Sequence, residues 1–403
     1  MIIGAITENL PYLPARDGFR VYEANVLAKV AQRHEVHLIS LIREGDSEHL
    51  DWAKRHFASV TGIPTRSHSL ISRSANFAST FFSGKPLHYR SELANAISTG
   101  ANSQHLEVMH VAGEFVGGLM PSNIQLPMLL SLHDAYSLRC QQDAELATTL
   151  RNKTYFRILG PLEERYARIV FPRFSNCVYV ADTDLDAVKK LGISNGIVIP
   201  NGVDTTYFAP TGEPLSENTV VFHGNLSYPP NVRAVLDIVT EVMPTLRAHL
   251  PDIVFRIAGA NPVEEIVQLS RQGLVDLIAT PPDIRPSLAS AAVYICGVRF
   301  GTGLKNKLLE AMAMGKAIVT YEEGASGINC TEGEHMIIVN SPEEFAERTL
   351  ELLGNKTRRD QLGTSARKLV ESKYSWDSRA LEFERLYLEA TAHHQNRPMR
   401  VSQ

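Results

Sequence analysis

The sequence predicts an α/β protein of two doubly wound, Rossmann-like parallel-sheet domains facing a central cleft. Three observations carry the prediction. The 403 residues exceed the ~250–300 at which a single hydrophobic core stops growing. Short β-rich runs alternate with helical stretches from end to end, as in parallel sheets covered by helices. One aperiodic, turn-rich stretch near residue 205 separates two alternating halves of similar length. The domains are expected over 1–205, joined by the closing segment 375–403, and over 206–374.

Ile2–Ile6 is the first strand expected, then a helix near Phe19–Arg33 and a strand at Glu35–Ser40. Pro64–Arg90 is less regular, with Phe77, Phe81, Phe82 and Tyr89 among Arg66, Arg73, Lys85 and Arg90. Further strands are expected at Glu107–Val111, Pro127–Leu132, Cys177–Val180 and Gly196–Ile199. Pro200-Asn201-Gly202-Val203-Asp204 is dense in turn residues and ends the first half. The alternation restarts with Val220–His223, a helix near Asn231–Leu250, Val254–Ala258, Val275–Ala279 and Ala292–Cys296. It continues with a helix near Leu304–Met314, then Ala317–Thr320 and Met336–Val339. Three helical stretches close the chain, the last near Trp376–Ala392. In such folds ligands bind at the carboxyl ends of the strands, which places them in the expected cleft.

Composition excludes several function classes. Hydrophobic residues at 44% and charged residues at 21%, with a mean hydropathy of -0.10, exclude disorder, collagen and coiled coil. Lys+Arg 40 against Asp+Glu 44 gives -4, so no global basic field points to nucleic acid. No apolar run approaches the ~18 residues of a membrane span. The start, Ile2-Ile3-Gly4-Ala5-Ile6, lacks the basic region of a signal peptide. Cys140, Cys177, Cys296 and Cys330 are too dispersed for a zinc knuckle or a disulfide framework. A cytoplasmic, reduced location is expected.

The most informative stretch is Arg299–Lys316. A glycine-rich turn, Gly301-Thr302-Gly303, follows the strand ending near Cys296, and a helix is expected from about Leu304. Free N–H groups and the positive helix end would then face a diphosphate. Lys307 and Glu310, three apart, share one helix face, whereas Lys305 is turned about 200° from Lys307. Two readings are open: Lys307 on a diphosphate with Glu310 on ribose hydroxyls, or a solvated ion pair between the two. Competing phosphate motifs fail. Gly301-Thr302-Gly303 lacks the third glycine of the dinucleotide fingerprint, and Gly315-Lys316 lacks the upstream glycine of a P-loop. Asp182-Thr183-Asp184 follows a strand and is expected to cap the next helix, so no metal is expected.

On these residues the chain resembles the retaining glycosyltransferases of family 4, two-domain GT-B enzymes using nucleotide-diphosphate sugars. The resemblance covers nearly the whole chain. It rests on Ile199-Pro200-Asn201-Gly202-Val203-Asp204, on Phe222-His223-Gly224-Asn225-Leu226 with Pro230-Asn231, and on Pro282-Asp283-Ile284-Arg285. Leu309-Glu310-Ala311-Met312-Ala313-Met314-Gly315 is similar to the family's donor-site helix, and Gly18, Arg20 and Glu35-Val36 to its first loop, helix and second strand. Tyr374-Ser375-Trp376 fits its returning helix. There are departures: Thr302 stands where the family carries the first of two glutamates, Glu310 being the second. Asn225-Leu226 brings no cation after Gly224, a charge that Lys307 could restore. These departures resemble a branch found in exopolysaccharide assembly.

The resemblance implies a donor-binding set of Gly18, Gly224, Asn225, Pro281, Gly301, Thr302, Gly303, Leu304, Lys307 and Glu310, with His133, Lys307 and Glu310 in the chemistry. His133 ends the run Pro127–Leu132; by resemblance it contacts the donor sugar or phosphate, and the alternative is a histidine that caps the strand. His223 also ends a strand and is expected to line the cleft. Gly18 reads either as a close approach of backbone to phosphate or as an ordinary turn. Pro64–Arg90 and Arg151–Phe174, which holds Lys153, Tyr155, Phe156, Arg157, Arg165, Tyr166, Arg168 and Arg173, read as half-buried segments with a solvated face or as contacts with an anionic lipid surface or a lipid-diphosphate acceptor.

The function expected is hexosyl transfer from a nucleotide-diphosphate sugar to a glycan or lipid-linked saccharide, with retained configuration, no metal and no cofactor beyond the donor. No carboxylate stands out as a covalent nucleophile, which favours front-face attack. Two alternatives stand beside it: a nucleotide-sugar 2-epimerase on the same fold, and a non-catalytic sugar-nucleotide-binding subunit.

Overall fold

The computed structural model of the chain describes residues 1–15, 17–64, 93, 95–97, 99, 105–121, 124–147, 149–300 and 304–395. The chain divides into two compact units, Met1–Pro200 with Arg379–Gln403, and Asn201–Ser378. These limits differ by a few residues from the 205 and 375 expected from the sequence.

The first unit holds β1 (Ile2–Thr7), β2 (Glu35–Ile42), β3 (Ser59–Pro64), β4 (Val108–Ala112), β5 (Met128–His133), β6 (Asn176–Tyr179) and β7 (Gly196–Val198). They form one sheet in the order β3-β2-β1-β4-β5-β6-β7, and all its pairings are parallel. The central strands β4 and β5 are buried along their whole length, which is why they read as continuous apolar runs rather than alternating ones. Sequence patterning missed β3. Its Ser-Val-Thr-Gly-Ile-Pro contains a glycine and ends in a proline, residues tolerated only because this strand lies at the sheet edge.

The Gly18–Val30 helix starts where Asp17 accepts the backbone N–H of Arg20 at 2.9 Å, an N-cap that satisfies one of the free amides of the first turn. It buries Tyr22, Glu23, Ala24, Val26, Leu27 and Val30. Tyr22 Oη donates to the Ile199 carbonyl at 2.8 Å, tying the helix to the end of the sheet's last strand segment.

The second unit's sheet contains β8 (Ser216–His223), β9 (Val254–Gly259), β10 (Asp276–Ala279), β11 (Ala291–Cys296), β12 (Ala317–Tyr321) and β13 (Ile337–Val339). Their order is β10-β9-β8-β11-β12-β13, again with every pairing parallel. The single helix expected over Asn231–Leu250 is three segments: Pro229–Asp237, a π-helical turn Ile238–Val242, and Met243–His249. Pro244 lacks the amide that an unbroken α-helix needs there, and the π turn absorbs the fault. The helix expected from Leu304 begins at Asn306 and runs to Ala313, with Lys305 as its extended N-cap at φ -94° and ψ 99°. Among the described residues no helix is long and apolar enough to cross a membrane.

The carboxyl ends of β8 and β9 meet where two glycines lie back to back. A Cβ on Gly259 would sit 1.8 Å from the Gly224 carbonyl oxygen, so only glycine permits this approach. Gly259→Ala is expected to destabilise the second unit by about 1–3 kcal/mol, the usual cost of overpacking. Gly354→Ala, where a Cβ meets nothing within 4 Å, is expected to be neutral or slightly stabilising. Urea unfolding midpoints compare the two.

Candidate functional site

In the second unit, a pocket of about 350 Å³ opens at the carboxyl edge of the sheet, between the loop after β8 and the start of the Asn306–Ala313 helix. Its lining includes His223, Gly224, Asn225, Asn231, Leu304, Lys305, Lys307 and Glu310. Gly224 has φ 154°, and a Cβ there would stand 2.9 Å from Asn231 Nδ2 and 3.3 Å from Lys307 Nζ. The glycine therefore makes room for these two side chains to approach the backbone.

Lys307 and Glu310 do not pair with each other, which removes the solvated ion pair left open by their spacing. Lys307 Nζ donates to Asn231 Oδ1 and lies 4.8 Å from the centre of the Phe222 ring. Asn231 Nδ2 in turn donates to the Asn225 carbonyl at 2.8 Å. Burial lowers the Lys307 pKa, and nearby Cys296 and Glu310 pull it back only in part. Among the described residues no carboxylate stands within ion-pair distance of Lys307. A half-buried ammonium held by one neutral amide and a ring face keeps most of its capacity to meet an anion.

Glu310 is anchored instead by His223, whose Nε2 donates to Oε2 at 2.5 Å. A carboxylate can only accept, so the shared hydrogen belongs to Nε2, and the buried Nδ1 of His223 has no hydrogen-bond partner among the described residues. His223 thus does more than line the pocket, because it fixes the carboxylate beside Lys307. Lys305 lies on the same pocket, not on the far side of the helix. As an extended N-cap residue it does not follow the helical rotation that the sequence reading applied to it.

Other expected positions fall differently. Gly301, Thr302 and Gly303 lie outside the described residues. Pro281 is half-buried between β10 and the short Arg285–Ala289 helix and is not part of the pocket lining. Gly18 is the first residue of its helix, and a Cβ there would meet no protein atom within 4 Å, so packing does not explain the glycine. Asp184 does not cap its own helix; it accepts the Ala135 N–H at 2.8 Å, at the start of the Tyr136–Leu146 helix. Of the two basic-aromatic stretches, all of Pro64–Arg90 after Pro64 lies outside the described residues. In the Leu150–Val170 helix, Leu150 (82%), Tyr155 and Ile158 are exposed next to exposed Arg151 and Arg157. Tyr166 and Arg173 turn inward and donate to the carbonyls of Glu114 and Met120.

His133 ends β5 in the first unit with a left-handed backbone, φ 69°. Its ring stacks on Phe19, with centroids 4.6 Å apart, and meets Tyr22 edge-on at 4.4 Å. Its Nε2 lies 2.9 Å from Glu23 Oε1. The same oxygen accepts Ser131 Oγ at 2.6 Å, and His110 Nε2 approaches Oε2 at 2.9 Å. Burial alone would raise the Glu23 pKa, but the charge and hydrogen bond of His110 and the hydrogen bond of His133 outweigh it and hold the carboxyl at about 2. Sequence reasoning missed Glu23, His110 and Asn231 as members of these sites. The signal existed for two of them: Glu23 interrupts the inward stripe of its helix, and His110 interrupts the buried run Val108–Ala112.

Residues 217–355, most of the second unit, match the model of the family described as glycosyl transferases group 1. An uncharacterized 44.6 kDa protein in the cps region of Klebsiella pneumoniae is 22% identical over 210 residues, 50% of this chain and 53% of that one. Spore coat protein SA of Bacillus subtilis is 30% identical over 99 residues, 24% of this chain and 26% of the relative. The chain thus spans about half the length or less of these curated relatives. An uncharacterized glycosyltransferase of Methanocaldococcus jannaschii is 22% identical over 74% of this chain and 81% of its own. Among solved structures, sucrose-phosphate synthase from Thermosynechococcus elongatus matches 98% of this chain and 100% of its own, at 13% identity and a TM-score of 0.64. HepE of Anabaena in complex with UDP matches 96% of this chain and 100% of its own, at 13% identity and a TM-score of 0.65. At these identities the likeness establishes the fold: two parallel-sheet α/β domains of the GT-B type.

A native-state carboxyl held at about 2 contributes stability that is complete above the ordinary value of 4.5 and is lost as pH falls from there through 2. Glu23→Gln removes this titration. Its urea stability is therefore expected to fall less steeply than the wild type's between pH 5 and 2, by on the order of a few kcal/mol, as followed by far-UV circular dichroism.

Proposed function

We propose that the chain is a glycosyltransferase that takes a sugar from a nucleotide-diphosphate donor and passes it to a glycan or lipid-linked saccharide in polysaccharide or glycoconjugate assembly. The observation that carries this reading is Lys307, a half-buried cation with an amide and a ring for neighbours and no acid partner among the described residues. The match of residues 217–355 to the group 1 glycosyl transferases supports it, as does the UDP held by the Anabaena neighbour.

In this reading the second unit takes the donor and the first unit the acceptor. Lys307 meets the diphosphate, and the Glu310 carboxylate accepts ribose hydroxyls. The acceptor hydroxyl attacks the anomeric carbon on the face the diphosphate leaves. The glycosidic bond forms as the carbon–phosphate oxygen bond breaks, and the hydroxyl proton passes to the departing phosphate, retaining configuration. Stabilising that leaving group is the main electrostatic task, and His133 serves the sugar end. The exposed Leu150, Tyr155 and Ile158, beside Arg151 and Arg157, would meet an anionic membrane surface at the cytoplasmic face.

Lys307→Ala is expected to weaken nucleoside-diphosphate binding by roughly tenfold to a hundredfold, the worth of a charge-assisted contact of about 1.5–3 kcal/mol, while leaving the bare nucleoside almost unaffected. Glu310→Ala is expected to weaken both, because its partner is the ribose. Calorimetry with each ligand measures the difference, and equal loss of nucleoside and diphosphate on Lys307→Ala would contradict the assignment. His133→Ala is expected to lower turnover far more than diphosphate affinity; equal losses would move His133 to the nucleotide or to folding. Turnover is expected to persist in EDTA, and loss restored by magnesium or manganese would contradict a lysine-based phosphate site.

A further inference from the structure

We propose that Glu23 is the positioning residue of the transfer site: it fixes the proton of His133 on Nε2, so that the bare Nδ1 is what this histidine offers a hydroxyl of the bound sugar or acceptor. The inference rests on the role given to His133 above and adds the group through which that role is set.

Glu23 is fully buried on the inner face of the Gly18–Val30 helix, and an ionised carboxylate has only acceptors. Three hydrogens must therefore lie on its partners: on Ser131 Oγ, on His133 Nε2 and on His110 Nε2. The two histidines then differ in what remains. His110 is fully buried, and its Nδ1 lies 2.7 Å from Tyr387 Oη. One hydrogen is shared between that Nδ1 and the tyrosine oxygen, so both nitrogens of His110 are used. His133 has no second partner among the described residues, and its side chain keeps 11% of its surface open.

The ring cannot swing to exchange its nitrogens freely. Phe19 covers one face and Tyr22 closes an edge. The backbone beneath is held in the left-handed region, with the Val180 N–H bonded to the His133 carbonyl at 2.9 Å. A left-handed conformation in a residue with a side chain is uncommon and persists where its surroundings determine it. A carboxylate behind one imidazole nitrogen also makes the other a stronger acceptor. A residue that merely joined helix to sheet would not need its charge to converge on this one strand end, with Ser131 and His133 sharing a single oxygen.

The test uses the full-length chain. Long-range proton–nitrogen NMR of histidine-labelled wild type, with the His133 signals assigned by their loss in His133→Ala, is expected to show hydrogen on Nε2 and none on Nδ1. A proton on Nδ1 overturns the proposal without any Glu23 variant. Glu23→Met, similar in size but without acceptors, is expected to lower kcat at least tenfold in the wild-type background and less than twofold in His133→Ala, with nucleoside-diphosphate Kd unchanged within twofold. Glu23→Asp, which keeps the charge, is expected to recover part of the loss. Equal losses in both backgrounds overturn the role given to Glu23. A His133→Ala variant that retains full turnover refutes instead the role given to His133 itself.

Discussion

All strands in both sheets run the same way within their sheet, and this constraint decides where chemistry can occur. Parallel strands deliver the residues that follow them to a common edge, where helix starts bring unpaired amides. His133 stands at that edge of β5, and His223 and Gly224 at that edge of β8. The strand residues behind them are buried, and apart from Ser131, which donates to Glu23, they serve packing. Val220, Val221 and Phe222 lead to His223, and Leu129, Leu130 and Ser131 with Leu132 lead to His133. One position further along each strand, the environment changes from core to site.

The two sites then handle buried charge in opposite ways. Glu23 is saturated: three donors converge on two oxygens, and a fourth group, Tyr387, satisfies the histidine behind. The carboxylate itself therefore holds geometry and has no capacity left for a ligand, and the one opening of the network is at His133. Lys307 is the reverse. It is buried enough to lower its pKa, yet its partners are one amide oxygen and a ring. A half-buried cation without an acid costs stability unless something else supplies the charge, and an anionic ligand is what relieves that cost. Lys316 shows how the same chain treats a lysine with a purely structural role: it is buried, with Nζ donating to the Ala289 and Ala291 carbonyls, away from the pocket.

Much of this was legible in the sequence because strands of a parallel sheet, buried on both faces at its centre, write themselves as short apolar runs. β1, β2 and β4 to β13 follow such runs within a few residues, whereas β3 escaped because an edge strand with Gly62 and Pro64 has no such signature. Lys307 and Glu310 were readable from their three-residue spacing and the glycine-rich turn before them. Their partners were not, since Asn231 and His223 are 76 and 87 residues away and no local period links them. The Lys305 register failed for a local reason: the helix starts two residues later than the pattern suggested, so an extended N-cap replaced a helical turn. Glu23 and His110 sat in view as polar interruptions of apolar stripes, but 87 residues separate them. Only folding shows that each interruption explains the other.

The central claim is that Lys307 exchanges a neutral amide for a diphosphate. A crystal structure of the full chain with a nucleoside diphosphate tests it most directly. The account predicts Nζ of Lys307 withdrawn from Asn231 and bonded to a phosphate oxygen at roughly 2.7–2.9 Å, with the ribose on Glu310. A diphosphate bound elsewhere, with Lys307 still on Asn231, would contradict it.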